Sequence, residues 1–173
     1  MNITAVIRAQ YGAALEMLRL AIVQCPDELW DDPHDKNPFW HVAYHALFYA
    51  HFYLQKTEAD FTPWAKHLSG YNFLGPTPWP PHEPPKIERA YTRAEMLEYL
   101  LLCLAQADEI LPQLDLSAAS GFSWLPFNKL ELQFYSIRHI QQHAGQLMER
   151  LSVRAGIEVD WVGTRPAPAS SRE

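Results

Sequence analysis

The sequence predicts an all-α protein, specifically a four-helix bundle whose helices are joined by long irregular crossover connections. Three observations carry this prediction. Four segments repeat their apolar residues with the period of a helix. Each segment is bounded by proline, glycine or a capping residue that starts or stops a helix. Two of the segments are rich in histidine, and metal sites in bundles are built from side chains on facing helices.

The first predicted helix occupies Ile3 to Val23 and ends at Cys25. Its apolar residues recur at positions 3, 7, 11, 14, 18 and 22, which is helical spacing. Pro26 cannot continue the helix, because it lacks an N–H donor and its ring clashes with the preceding turn. The acidic, proline-containing stretch at 27–37 is therefore interpreted as a connection.

The second predicted helix runs from Phe39 to Leu54. Asn37 is expected to be its N-cap and Pro38 its first helical residue, a position that proline tolerates. The run is apolar almost all round, so this helix should lie in the middle of the protein. It carries three histidines, namely His41, His45 and His51.

The third and fourth predicted helices have clear boundaries. Thr92 fits the N-cap of a capping box directly before the apolar run from Met96 to Leu111. The fourth helix begins near Asn128, keeps the helical period as far as Leu151, and should be followed by Gly156 in a left-handed conformation. We therefore expect one domain at 1–156, followed by a polar and partly disordered C-terminal tail at 157–173.

Residues 62–85 form the more unusual of two irregular connections. Seven of the chain's 14 prolines fall in this stretch, together with Trp64, Tyr71, Phe73 and Trp79. A connection this long inside a domain is typically functional or disordered. The sequence leaves two interpretations open: a lid over a binding site, or a surface connection whose aromatic residues cover the edge of the core.

Composition excludes several function classes. The formal net charge is −6 and the 14 Lys and Arg residues are scattered, so no nucleic acid partner is expected. No apolar run reaches the roughly 18 residues that a membrane span needs, and the N-terminus has no signal-peptide pattern. Cys25 and Cys103 form no CxxC pair, which favours reduced thiols in a cytoplasmic protein, although a disulfide stays open.

The fourth predicted helix carries two histidines at chelating spacing. His139 and His143 are four residues apart, so they share one helix face. A third ligand must come from another segment, and the histidines of the second helix are the candidates. His41 and His45 share a face there, whereas His51 falls on a different one and is interpreted as structural. His34, His67 and His82 lie in predicted loops and are assigned only exposed polarity.

Two patterns resemble the DinB-like family, a damage-inducible group of helical proteins. The fourth helix reads His-x-x-x-His-x-Gly-Gln from His139 to Gln146, and in the second helix Trp40 precedes His45 by five residues. An aromatic gap separates these two helices. The resemblance covers about residues 1–155.

The resemblance implies a bundle in which three histidines bind one divalent metal ion, zinc or nickel. On this basis the metal ligands are His45, His139 and His143, and His41 becomes a pocket or second-sphere residue. Some relatives are thiol transferases, others resemble maleylpyruvate isomerases that use a low-molecular-weight thiol, and many have no assigned activity. The family and general base rates both favour a homodimer.

Three neutral imidazoles would leave an open position on a divalent ion, as catalytic zinc sites do. That position allows either a water of lowered pKa, giving a hydrolase, or a bound thiolate, giving a thiol transferase. Ile140 stands where an HExxH general base would be, which favours the thiol. Gln142 and Gln146 are candidates for orienting a ligand or substrate, and Tyr49 for lining the pocket.

The expected function is therefore a divalent-metal-dependent enzyme acting on a small molecule, most simply a small-thiol-dependent transferase or isomerase. Two alternatives stay open. One is a metal-binding or scaffold bundle with no catalytic activity, and the other is a metal-dependent hydrolase.

Overall fold

A computed structural model describes residues 2–165 of the chain. These residues form an all-helical protein, as predicted, and the described part contains only an isolated bridge between Ala119 and Asn128 in place of any strand. Two single 3-10 turns, Glu58–Asp60 and Leu111–Gln113, lie in the connections. The α-helices are α1 (Ile3–Gln24), α2 (Asp27–Trp30), α3 (Phe39–Tyr53), α4 (Arg93–Ile110) and α5 (Lys129–Ala155).

The four long helices pack around a common core. Both α1 and α3 contact α4 and α5. The histidines lie on the side where α3 packs against α5. The prediction that the second long helix is central is confirmed. Every residue of α3 is buried except His45 and Tyr49.

The helix boundaries follow the predicted capping residues with one exception. Thr92 and Glu95 form the expected capping box, and α5 begins after Asn128 and ends at Gly156 in the left-handed conformation. The prediction that Asn37 caps α3 is wrong. Pro38 is the N-cap, because its extended backbone lets its carbonyl accept the first helical hydrogen bonds, from the N–H groups of His41 and Val42.

Two segments differ from the sequence-based expectations. Part of the predicted acidic connection forms the short helix α2. In the predicted tail, residues 157–165 lie along α1: the Gln10 side chain donates to the Gly163 carbonyl at 3.1 Å, and the Arg165 N–H donates to the Ala9 carbonyl at 3.2 Å. These residues are therefore attached to the domain, and the rest of the predicted tail, 166–173, lies outside the described part.

The two irregular connections meet near the C-terminal end of α3. Lys129 is buried, and its ammonium group donates to the carbonyls of Gln55 and Lys56 at 2.8 Å each and to the Ser120 carbonyl. Gly121 has a φ of +84°, and a Cβ there would lie 2.1 Å from the Lys56 carbonyl oxygen. Glycine is therefore required at position 121, where the two connections approach each other closely. This close approach places the nearby Trp124 beside α3.

None of the helices between residues 2 and 165 combines the length and the apolar character needed to cross a bilayer. Both cysteines are free and buried.

Candidate metal centre

Three histidines from α3 and α5 converge on one point. The Nε2 atom of His139 lies 3.1 Å from that of His45 and 3.2 Å from that of His143. One ligand atom from each residue lies within 4.8 Å of the other two, so the group could hold a metal ion. The i and i+4 spacing on α5 supplies two of these side chains, and the packing of α3 against α5 supplies the third.

Hydrogen bonds fix the orientation of two of the three imidazoles. His45 Nδ1 lies 2.7 Å from the Asn72 carbonyl oxygen, and His143 Nδ1 lies 3.2 Å from the Gln146 Oε1. Both oxygens only accept, so each Nδ1 carries the proton and donates it. The Nε2 atoms of both rings are therefore lone-pair donors directed at the shared point, as in zinc sites whose histidines are oriented by an outer hydrogen bond.

The positions of the three imidazoles suit binding of a divalent cation better than they suit hydrogen bonding among the imidazoles themselves. A single N–H on His139 Nε2 can satisfy only one of its two neighbours well, and within the described residues the buried Nδ1 of His139 has no hydrogen-bond partner. Nitrogen ligands at about 2.0–2.1 Å from zinc lie roughly 2.8–3.4 Å apart for angles between a right angle and tetrahedral. The two separations from His139 Nε2, 3.1 and 3.2 Å, fall in that range, and the ligand atoms of His45 and His143 lie within 4.8 Å of each other.

Burial keeps the three imidazoles neutral. It lowers the pKa of His45 to about 3, helped by the neighbouring His143 and His139. Burial, with His143 as a second cause, also lowers the pKa of His139 to about 4. Burial lowers the pKa of His143 as well, against the opposing effect of the hydrogen bond that His143 donates to Gln146. Neutral imidazole is the form that binds metal, so the site needs no deprotonation near pH 7.

His41 lies outside the three-histidine group. Its Nε2 is 2.8 Å from the Tyr71 carbonyl oxygen, its ring stacks on Trp40, and it is almost fully buried. His41 and His45 therefore bind two successive carbonyls of the proline-rich connection, those of Tyr71 and Asn72. These bonds attach the middle of the connection to α3, while its interpretation as a lid stays a prediction.

The other three residues predicted near the site lie at different positions around it. The Tyr49 ring centroid is 4.9 Å from that of His45 and 5.5 Å from that of His139. Gln146 accepts from His143, as described above. Gln142 is exposed and instead lines a cavity of about 400 Å³ that also borders His139. The functional roles of these residues remain predictions.

Two further histidines have structural partners. His51 is buried with its Nδ1 3.2 Å from the Tyr99 hydroxyl, on a different side of α3 from His45. His67, predicted to be merely exposed, is half-buried instead: its Nδ1 lies 2.6 Å from the Tyr44 hydroxyl, and the two rings stack. The prediction for His67 was wrong because the proline-rich connection folds onto α3.

A cavity of about 690 Å³ opens beside the histidines. His45 and His139 form part of its wall, so the converging nitrogens lie next to a space of the size that small-molecule sites have. Most of the remaining wall is aromatic. It consists of Phe48, Tyr49, Phe52, Tyr53, Glu58, Asn72, Phe73, Pro78, Trp79, Trp124 and Tyr135.

Comparison with protein-family models, with curated proteins and with solved structures finds no match to this chain. Membership of the DinB-like family therefore stays a prediction that depends on the residues at 40–45 and 139–146, and the assignment of the site depends on its geometry.

Sequence reasoning did not assign Asn72, Trp124, Tyr135 or Glu58 to the site. Tyr135 had a usable signal, because it lies four residues before His139 on α5 and so shares its face. Phe73 and Trp79 were noted only as part of an aromatic connection. Asn72 contributes a backbone carbonyl, which no side-chain pattern can reveal.

Proposed function

We propose that this chain is a divalent-metal-dependent enzyme with a DinB-like four-helix bundle, in which a small thiol is activated at His45, His139 and His143. The thiol is transferred to an electrophile in the adjacent cavity or is used to isomerise it. One observation carries the proposal: three imidazole nitrogens from α3 and α5 meet beside a cavity of about 690 Å³. The pairing of α1 and α3 with both α4 and α5 supports the bundle.

Zinc and nickel suit an all-imidazole ligand set. A divalent ion held by three protein ligands would supply a Lewis acid with a free position, which lowers the pKa of a bound thiol. The chain's own residues orient the site. Asn72 and Gln146 hold the His45 and His143 rings through their Nδ1 atoms, and Tyr49 lies over His45 and His139.

The transfer balances without an added oxidant or reductant. The thiol loses its proton to solvent, its sulfur forms a bond to the electrophilic carbon, and the leaving group departs with the bonding electron pair. In an isomerisation the sulfur adds to a double bond and leaves again after rotation about the resulting single bond, so the thiol is regenerated.

A thiol nucleophile is favoured over water by the residues around the histidines. The metal-binding group contains no Asp or Glu within the described residues, and Ile140, next to His139, is fully buried. The carboxylate in the wall of the adjoining cavity, Glu58, is exposed and lies outside the metal-binding group. A hydrolase normally places a general base within hydrogen-bond reach of the attacking water. The adjoining cavity in turn favours an enzyme over a scaffold whose metal only stabilises the fold.

Metal content tests whether the three histidines bind a divalent ion. Wild-type protein, loaded with zinc and then desalted, should contain about one equivalent by elemental analysis, and His139→Ala should contain almost none. His82→Ala is the matched control, because His82 is exposed on the proline-rich connection and should leave the zinc content unchanged. Circular dichroism verifies that both variants are folded. Stoichiometric zinc in folded His139→Ala would contradict the site.

Thiol binding tests whether the metal-loaded site can bind a small thiol. Cobalt-substituted protein titrated with 2-mercaptoethanol should gain a sulfur-to-cobalt charge-transfer band, and chelation should remove it. A protein that binds cobalt stoichiometrically but shows no new band with any small thiol would be a metal-binding scaffold, and the enzyme proposal would be wrong.

A further inference from the structure

We propose that the cavity beside the three histidines binds a planar aromatic ligand that carries no negative charge. As a statement about the cavity this stands on its own. As the class of the electrophilic substrate it rests on the proposed function, and there it concerns the aromatic character alone, because a bound divalent ion would add positive charge beside His45 and His139.

The wall of the cavity is built from aromatic rings that come from four separate segments. Helix α3 contributes four of them, the proline-rich connection contributes Phe73 and Trp79, the second connection contributes Trp124, and α5 contributes Tyr135. The rings of Phe52 and Trp124 are nearly parallel, at 15° with centroids 6.3 Å apart. Flat walls of this kind favour a flat ligand, because aromatic rings attract each other in offset-stacked and edge-to-face arrangements.

Three of these rings are exposed to solvent. Trp79 is 56% exposed, Trp124 is 49% exposed and Tyr135 is 37% exposed. Single exposed aromatic residues are common on protein surfaces, but a group that converges on one cavity marks a binding site. Ligand binding would cover this apolar surface, which supplies the driving force for association.

The charge of the wall selects against anions. Glu58 is the one Asp or Glu side chain in the wall, and among the described residues no Lys or Arg lines the cavity. The faces of aromatic rings also carry negative potential. In the metal-free protein an anionic ligand would lose its hydration without meeting a cation in the wall, whereas a neutral or positively charged aromatic ligand would not be penalised.

Polar and cationic groups are found instead in the neighbouring cavity of about 400 Å³. It shares Tyr135 and His139 with the larger cavity, but its other lining residues are Arg138, Gln141 and Gln142. The two cavities thus border the same histidine from surroundings of different polarity. This segregation is the reason for assigning the aromatic ligand to the larger cavity alone.

A matched pair of fluorescent dyes tests the proposal. N-phenyl-1-naphthylamine is neutral, and 8-anilino-1-naphthalenesulfonate has the same ring system with an added sulfonate. Both are titrated into full-length, metal-free protein in chelator, and the fluorescence increase gives each Kd. We expect the neutral dye to bind about tenfold more tightly or better. Equal binding, or tighter binding of the sulfonate, would overturn the proposal.

Three tryptophan variants locate the dye. Trp124→Ala and Trp79→Ala should each weaken binding of the neutral dye by about fivefold or more. Trp161→Ala is the matched control, because Trp161 is 74% exposed and lies outside the cavity wall, so binding should not change. If Trp161→Ala weakens binding as much as Trp124→Ala does, the dye is bound to a general apolar surface and the proposal is wrong.

Glu58→Lys tests the charge selection. It should raise the affinity of the sulfonate several-fold and leave the neutral dye nearly unchanged, and an unchanged ratio would contradict the role of charge. The dye titrations need no metal, so their failure is separate from that of the proposed function. Metal content and thiol binding decide the enzyme, and dye selectivity decides the ligand class.

Discussion

Two aromatic clusters pack against α3, and they differ in whether their rings enclose space. The closed cluster consists of Trp30, Trp40, Tyr44, Trp64, Tyr91 and Tyr99, all of which are buried. The open cluster consists of the aromatic wall residues Phe48, Tyr49, Phe52, Tyr53, Phe73, Trp79, Trp124 and Tyr135, which surround the cavity of about 690 Å³.

In five of the six residues of the closed cluster the polar side-chain atom has a hydrogen-bond partner inside the protein. The Trp30 Nε1–H donates to the Tyr91 carbonyl at 2.8 Å, and the Trp40 Nε1–H donates to Asp31 Oδ1 at 2.7 Å. The rings of Trp64 and Tyr99 stack at 4.6 Å with an interplanar angle of 4°. Such a cluster stabilises the fold, because its apolar surface is removed from water and most of its polar atoms are hydrogen-bonded.

The open cluster stabilises the fold less than the closed cluster does. Its outer rings keep surface in contact with water, and the space between them adjoins the metal-binding histidines. The difference indicates that the closed cluster determines where α3 lies and the open cluster determines what can bind beside His45. Substitutions in the two clusters should therefore affect different measurements.

The largest expected effect comes from removing a ring of the closed cluster. Trp40→Ala should lower the free energy of unfolding by about 3–5 kcal/mol, as large-to-small changes in a core do. Trp124→Ala, in the open cluster, should lower the free energy of unfolding by less than about 1 kcal/mol, because half of the ring is already exposed. Urea denaturation of metal-free protein measures both. Equal decreases in the free energy of unfolding would mean that the closed cluster does not stabilise the fold more than the open cluster does.

Metal loading should stabilise the folded protein by a comparable amount. At a free zinc concentration about 100 times the Kd, the free energy of unfolding should rise by about 2.7 kcal/mol, because zinc binds the folded state. His143→Ala should lose this increment, whereas Trp124→Ala should keep it. Thermal denaturation with and without chelator measures the increment. An equal zinc effect in His143→Ala would show that the metal binds elsewhere.

The features predicted correctly from sequence are local in the chain. The spacing of His139 and His143, the capping box at Thr92 and the glycine end of α5 each depend on residues within one or two helical turns. The apolar character of α3 likewise predicts its central position, since a helix that is apolar all round must be covered on every side.

The features that could not be predicted depend on distant contacts. His41 and His45 share a face of α3, and spacing alone does not separate them. Their roles differ because α5 approaches His45, while the carbonyl of Tyr71 binds the Nε2 atom of His41. The cavity wall takes Trp79 and Trp124 from irregular connections, where no periodic pattern exists to predict which side chain faces inward.

A smaller effect is expected from Gln146, the last residue of the α5 motif. Gln146→Leu removes the acceptor of the His143 Nδ1–H and should weaken zinc binding by about 10- to 100-fold. Gln142→Leu is the matched control on the same helix: Gln142 is exposed and lines only the smaller cavity. Competition with a chromophoric chelator measures both affinities. Equal losses would mean that the hydrogen bond to His143 does not orient the ring.

The smallest effect concerns His51, which joins α3 to the closed cluster through the Tyr99 hydroxyl. Burial lowers the pKa of His51 to about 4, against a hydrogen bond with Gln106 that raises it. Between about pH 6.5 and pH 4 the unfolded chain therefore binds a proton that the folded chain does not. Stability must fall as the pH falls through this window, and the loss near pH 5.5 is about 1 kcal/mol.

The variant His51→Gln isolates this contribution from that of the other histidines. Glutamine keeps a polar side chain but does not titrate, so metal-free His51→Gln should lose less stability than wild type between pH 7.5 and 5.5, by about 1 kcal/mol. Urea denaturation at both pH values in chelator gives the difference. Identical pH dependence in the two proteins would mean that His51 is protonated without cost, and that the closed cluster opens to solvent near Tyr99.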